Sequence, residues 1–293
     1  QRKRSVGGAA ALDAVLERLL SAADTQVSDD LMLGALWDCL TDSTQQHALT
    51  LSVLRQPVPT TVVEAVGDAS VELRDSSLLM QYRLLGEKNG QPEWRERWGM
   101  LGVVSRFVRG KLDAQQRQAA HRSLGIALKA HVEGQGEHRL RSDQEDAIHH
   151  LHAAQEGDLA WPMVAEHVLW LRARAQYRDA LALLEHCERA LTSGDRLAQS
   201  LMFQSQILGP LAHQSARADA LLQRAALVAE SEHVRASILL EQGQHEKAEA
   251  LLRQLLALKT KELGAAHPSC GTIMFGLANV LRERREYNEA EKL

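Results

Sequence analysis

The side chains with most capacity for chemistry fall in three places. His149, His150 and His152 crowd one short stretch, and on a helix His149 and His152 share a face, as transition-metal ligands would. Two imidazoles are too few for zinc without a third ligand, and no Glu or Cys stands at a partner spacing nearby. The tract therefore reads as a solvated or partner-facing helix surface. Cys187 follows His186 directly, but helix neighbours point about 100° apart and cannot form a nucleophile–base pair. Cys270 stands three residues after His267, in a loop and helix start, and carries no catalytic assignment. The third place is basic: Arg95, Arg97, Arg106, Arg109 and Lys111, followed by Arg117 and Arg122, with Trp94 and Trp98 interleaved. Such a patch suits DNA phosphates or the acidic surface of another domain. Docking onto protein is the expectation carried forward, and DNA is the alternative.

The elements that must hold these residues are helical. Ala and Leu abound and aromatics are 4%, which favours helix packing over sheets. Of 293 residues 45% are hydrophobic, enough for two domains or one domain plus an array. A net charge of -4 argues against a nucleic-acid binder by bulk electrostatics. No apolar run approaches the roughly 20 residues of a membrane span. No secretory-type apolar core follows the basic Gln1-Arg-Lys-Arg4. Cys39, Cys187 and Cys270 lie far apart, as reduced core residues of a cytoplasmic protein would. The chain starts without Met and stops inside a repeat, so it is read as a piece of a longer protein.

Along the chain, Ala9 to Ala23 forms an apolar-faced helix, and Asp29 or Asp30 caps the next, Leu31 to Leu40. A third helix follows Thr41 and ends before Pro57 and Pro59, with Ala48, Leu51 and Leu54 inward. Thr61-Val-Val-Glu64 reads as a capping box. Lys88-Asn-Gly90 is a hairpin-turn signal between Ser77–Leu85 and a returning strand, Trp94–Leu101. Helices resume at Val103–Lys111 and Asp113–His131, and Ser142-Asp-Gln-Glu145 caps another that runs to Gln155.

The C-terminal stretch repeats itself. Gln242–Glu249 is followed 42 residues later by Arg284–Glu291, with Ala248 and Ala290, Glu249 and Glu291, and Leu251 and Leu293 in register. Gly264 stops one helix and Pro268 starts another. Tyr177 and Tyr287 both stand three residues before an alanine, and Ser215–Leu221 is a looser copy. The alanines Ala180, Ala220, Ala248 and Ala290 are 40, 28 and 42 apart, so the early repeats are degenerate. Four helical hairpins are expected between about 159 and 293, the last without most of its second helix.

This stretch resembles tetratricopeptide repeats of the kinesin-light-chain type, on Ala248, Glu249, Leu251, Leu252, Leu263-Gly264, His267-Pro268, Leu277-Ala278-Asn279, Tyr287 and Ala290-Glu291. The resemblance implies an α-solenoid whose first helices line a concave face that binds protein or peptide. The candidate partner-binding residues are Gln204, Gln206, Arg235, Glu241, Asn279 and Arg282; the resemblance implies that Asn279 grips peptide backbone. Leu208, Leu239, Leu277, Ala278 and Leu281 are expected in the core.

Helices followed by a two-stranded wing spell a winged helix. The order of helical, winged-helix and repeat segments is similar to the regulatory half of STAND (NB-ARC-like) signal-transduction NTPases. The residues that carry this are Leu49–Leu54 with Pro57-Val58, Ser76–Leu79 and Met100–Phe107. Two departures stand out. No phosphate loop is present, Gly110-Lys111 being followed by Leu112. Where many members carry Met-His-Asp, this chain has Met100-Leu101-Gly102, and Leu donates no hydrogen bond to a nucleotide. The expected division is 1–27 as the end of a helical domain, 28–131 as a winged-helix-like domain, 132–158 as a connector and 159–293 as repeats. The resemblance implies a mainly α, non-enzymatic sensor region, in antiviral defence or signalling, that docks on an NTPase domain of its own chain and is open to oligomerisation. ATP or ADP would bind only upstream, with no cofactor or metal in this region. A winged-helix transcription regulator and a free-standing repeat scaffold are the alternatives.

Overall fold

The computed structural model describes residues 25–88, 91–136, 140–210 and 214–292. The expected Ala9–Ala23 helix and the Asn89-Gly90 turn lie outside them. The chain is mainly helical, with a two-stranded antiparallel sheet, and divides into two units, Gln1–Gln155 and Glu156–Leu293.

The first unit runs α1 (Thr25–Asp38), α2 (Asp42–Leu51), α3 (Thr60–Ala65), α4 (Ser70–Asp75), β1 (Met80–Lys88), β2 (Gln91–Gly99), α5 (Gly102–Arg109), α6 (Ala114–Gln135) and α7 (Arg141–Ala153). The starts of α2 and α6 are written in the sequence. The Thr41 hydroxyl accepts the Thr44 amide at 3.2 Å, and Asp113 and Gln116 close a reciprocal capping box. Ala48, Leu51, Val62, Leu73, Leu124, Leu128 and Leu151 are buried together as the apolar interior of this unit. Each such leucine contributes roughly 1.5–3 kcal/mol on burial. The strands pair from Met80 opposite Gly99 to Lys88 opposite Gln91, and Val58 adds a bridge to Trp98.

Three expected caps are corrected. Asp29 and Asp30 fall inside α1, which starts at Thr25. The Thr61–Glu64 capping box does not form: α3 starts after Pro59, whose extended backbone precedes the helix without a side-chain cap. The hydroxyls are used elsewhere, Thr60 accepting from Trp98 Nε1 at 3.1 Å and Thr61 bonding His131 Nδ1 at 3.0 Å. Ser142 does not cap α7, which begins at Arg141 after Leu140. Its acidic neighbour Asp143 is drawn inward to an arginine instead.

The second unit is a run of helical hairpins: α8 (Gly157–Ala173) with α9 (Tyr177–Cys187), α10 (Gly194–Leu208) with α11 (Ser215–Val228), α12 (Glu232–Glu241) with α13 (His245–Leu263), and α14 (Pro268–Glu283) with α15 (Tyr287–Ala290). Three of the turns within hairpins share one geometry. Ala175, Gly243 and Arg285 take φ of 57°, 72° and 65°, and the next amide reaches back five residues: Gln176 to the Leu171 carbonyl, Gln244 to Leu239 and Glu286 to Leu281. That is the left-handed helix stop with its 6→1 bond. Only Gly243 adopts it without a Cβ penalty.

The first helices begin at Gly157, Gly194, Glu232 and Pro268, 36 to 38 residues apart, so the array is regular there. The irregular alanine spacing has two sources. Ala218, 4% exposed, is the buried counterpart of Ala180 and Ala248, whereas Ala220 is exposed. The third hairpin also pairs a 10-residue first helix with a 19-residue second helix, which shifts the phase of Ala248. The apolar interior passes from hairpin to hairpin through α12: Val234 and Ile238 pack with Leu201 and Leu222, while Ala236 packs with Leu252 and Leu277.

Candidate protein-recognition face

The first helix of each hairpin meets the first helix of the next, and two clefts open between them. One, of roughly 480 Å³, is lined by Leu169, Arg172, Ala173, Tyr177, Gln206, Ile207 and Pro210, from the first two hairpins. The other, of roughly 160 Å³, lies between α12 and α14, with His233, Ser237, Leu240, Phe275, Gly276 and Asn279 on its walls. Phe275 is 69% exposed, a large apolar ring left in water beside the Asn279 carboxamide. An apolar ring next to an amide that both donates and accepts is what an extended polypeptide needs.

The sequence-derived candidates divide. Gln206 and Glu241 are joined into one row: Arg172 donates to the Gln206 oxygen at 2.8 Å, and the Gln206 nitrogen donates to Glu241 at 2.7 Å. The row ties α8, α10 and α12 along the edge where each first helix ends. Asn279 is half-buried in the second cleft. Arg282 is exposed and lies 3.6 Å from Glu283. Gln204 is a correction: it is 2% exposed and donates to Glu188, so it offers nothing to a partner. Arg235 is exposed, with its guanidinium on the Ala229 carbonyl at 3.2 Å and on Glu232 at 2.9 Å.

Sequence reasoning missed the opposite edge of the array. Gly157-Asp158 and Gly194-Asp195 recur 37 residues apart, each opening a first helix. A Cβ at either glycine would run into a carbonyl oxygen, of Ala190 or of Val228. Each aspartate reaches the start of the next hairpin. Asp158 accepts the Thr192 hydroxyl and, at 3.3 Å, the Thr192 and Ser193 amides, and Arg196 stands 3.5 Å away. Asp195 accepts the Glu230 and Ser231 amides at 2.8 Å each. Partial burial works against both charges, and these donors outweigh it, so both carboxyls stay below the usual carboxylate range.

In the first unit the basic patch is not one surface. Arg97 is 2% exposed and grips the Asp143 carboxylate with two bonds of 2.6 and 2.5 Å, while donating to the Pro57 carbonyl at 3.0 Å. Arg109 places its guanidinium on the Ser52 carbonyl at 2.7 and 3.0 Å. The Lys111 ammonium lies over the Trp37 and Phe107 rings, 5.2 and 4.6 Å from their centres. Arg97 is removed from the expected patch because it is buried, whereas Arg109 and Lys111 make these contacts and remain exposed. Arg106 is exposed and Arg95 is half-buried. Strand alternation carried the missed signal: Arg97 stands opposite Tyr82, on the strand face that turns inward.

The histidine tract also changes. His150 faces His121 of α6, Nδ1 to Nδ1 at 2.8 Å, with His149 packed edge-on to both rings. Desolvation, followed by repulsion from neighbouring histidines, lowers His150 to about 3 and His121 to about 4. Neutral rings fit this contact, one donating and the other accepting. No group of three or more metal ligands forms among the described residues. Cys187 is buried and its thiol is pushed up to about 12 by desolvation, which leaves it inert. Cys270 is buried, but Cys39 is exposed, contrary to the expectation of three core cysteines. No helix among the described residues is long and apolar enough to cross a membrane.

The tetratricopeptide repeat family matches residues 227–293. No curated protein matches the chain. Among solved structures it is similar to a Signal Transduction ATPase with Numerous Domains (STAND) protein with a tetratricopeptide repeat sensor from Pyrococcus horikoshii, at 12% identity and a TM-score of 0.42. The match covers 94% of this chain and 47% of that one, so the chain spans about half that protein's length.

Proposed function

We propose that the second unit recognises protein or peptide on the face made by its first helices. The observation that carries this reading is the cleft between α12 and α14, where exposed Phe275 stands beside Asn279 within the matched repeats. The regulatory part rests on the order of segments: the chain is read as the sensor region of a STAND-type NTPase, with residues 28–131 as its winged helix. A ligand on the repeats would bias the packing of this region against a nucleotide-binding domain, which requires different affinities for the two states. The chain itself carries recognition, not catalysis. Defence signalling in the cytoplasm is the setting this reading implies.

Two experiments test the two parts separately. Peptides selected from a random library on the full chain, then mapped by hydrogen exchange, should protect α12 and α14; protection confined to the second helices rejects the recognition face. A phosphate loop and an acidic magnesium site encoded upstream of Gln1 in the same reading frame would support the STAND reading. An upstream sequence with neither removes it and leaves a repeat scaffold.

A further inference from the structure

The hairpin junctions are tied unequally. Between the first and second hairpins, and between the second and third, both edges are fastened. Asp158 and Asp195 hold the edge where first helices begin, and the Arg172–Gln206–Glu241 row holds the edge where they end. Between the third and fourth hairpins the position of the two aspartates is His233, and its Nδ1 finds no partner. Of the two amides such a clasp would use, that of His267 is spent locally, donating to the Gly264 carbonyl at 3.2 Å within its own loop. The opposite edge of the same junction is well tied. Glu249 accepts from Arg284, and Arg253 bridges Glu249 at 2.8 Å and Glu289 at 2.5 Å.

From this asymmetry we infer that the fourth hairpin is a one-sided hinge, pivoting on the Glu249–Arg284–Arg253 edge and opening at the His233 edge. The opening widens the cleft that holds Phe275 and Asn279, while the first three hairpins move as one body. Leu252 and Leu277 form the apolar pivot, a contact that tolerates a small rotation better than directional bonds do. The inference stands on the ties alone and rests on the recognition reading only for what the cleft would admit.

Hydrogen exchange of the full, unliganded chain tests it. Residues 271–276 of α14 should exchange about tenfold faster than the equivalent 197–202 of α10, the ratio expected for one missing net hydrogen bond. Replacing Asp195 with Ala should release residues 235–240 by a similar factor, since it makes the second junction one-sided too. Glu249→Gln should speed exchange at residues 277–283, where the pivot was, with the far-UV spectrum unchanged. Equal protection of 271–276 and 197–202, or a Glu249→Gln chain with an unchanged pattern, overturns the hinge. Because no peptide is present, failure here is separate from failure of the recognition face, which the library mapping reads.

Discussion

Cutting the Arg97 side chain back to methionine should cost the first unit about 3–5 kcal/mol. Arg97 and Asp143 are each 2% exposed at the side chain and meet through two bonds of 2.6 and 2.5 Å. Removing one partner of such a pair strands the other charge without water, and that loss is the size quoted. On the usual scale of 5–15 kcal/mol for a whole domain, a large share of the stability goes. One neighbour softens the effect. His131 Nε2 lies 3.8 Å from the carboxylate. Burial holds the ring's affinity for protons down; Asp143 pulls it up, and the Arg97 charge pushes it down again. Without Arg97, His131 should take up a proton and replace part of the lost charge, so the cost should be smaller at pH 6 than at pH 8. The assay is equilibrium urea unfolding read by hydrogen-exchange labelling, which separates peptides of the two units. The double replacement Arg97→Met with Asp143→Leu should return to within about 2 kcal/mol of the parent, because no charge is left buried. A cost below about 1 kcal/mol for Arg97→Met alone, or a double variant as unstable as the single, refutes the buried pair and returns Arg97 to the surface patch.

Acid should loosen the first unit before the second. His150 and His121 have folded values of about 3 and 4 against 6.5 unfolded, so the unfolded chain binds more protons between pH 6.5 and 4. Their contribution is complete above pH 6.5 and is lost as pH falls, about 3 kcal/mol at pH 4.5 from His150 alone at 1.36 kcal/mol per unit. Asp146, raised to about 6 chiefly by burial, works the other way and offsets part of this. Urea midpoints at pH 7.5 and 4.5 check it; an unchanged first-unit midpoint contradicts the neutral pair. Asp195→Ala should destabilise the second unit by about 1–3 kcal/mol, since the Glu230 and Ser231 amides lose their acceptor, while Asp219→Ala, on the exposed face of α11, should cost less than about 0.5 kcal/mol. Thermal melts of the two variants should differ by several degrees, and coincident melts would dismiss the clasp.

The helical character and the hairpins were legible because their signals are local. Gly264, Pro268, Asp113 and the Ala180 and Ala248 positions each act through a few neighbours, and each does in the structure what its chemistry suggests. Ser142 and Thr61 read equally well as caps, yet their stretches answer to distant groups, Asp143 to Arg97 and Thr61 to His131. Such long-range demands leave no mark at a spacing of three. Arg97 was misplaced in the basic patch for a related reason: composition counts it as surface charge, while Asp143 takes it in. The Gly157-Asp158 and Gly194-Asp195 clasps were available to a search for period, but they begin the first helices, and the period was sought at the alanines near the starts of the second helices. Phe275 could not be told from a core residue by pattern, since α14 carries apolar side chains on more than one face.

The most direct test of a recognition face on the first helices is the affinity of one library-selected peptide for four single variants of the full chain, by fluorescence anisotropy. Phe275→Ala and Asn279→Ala should each weaken binding tenfold or more, with melting temperatures unchanged, because both line the cleft between α12 and α14. Leu227→Ala and Leu258→Ala, equally apolar and 86% and 50% exposed but on second helices, should leave it within twofold. The reverse pattern, with binding lost at Leu227 or Leu258 and kept at Phe275 and Asn279, would contradict the account.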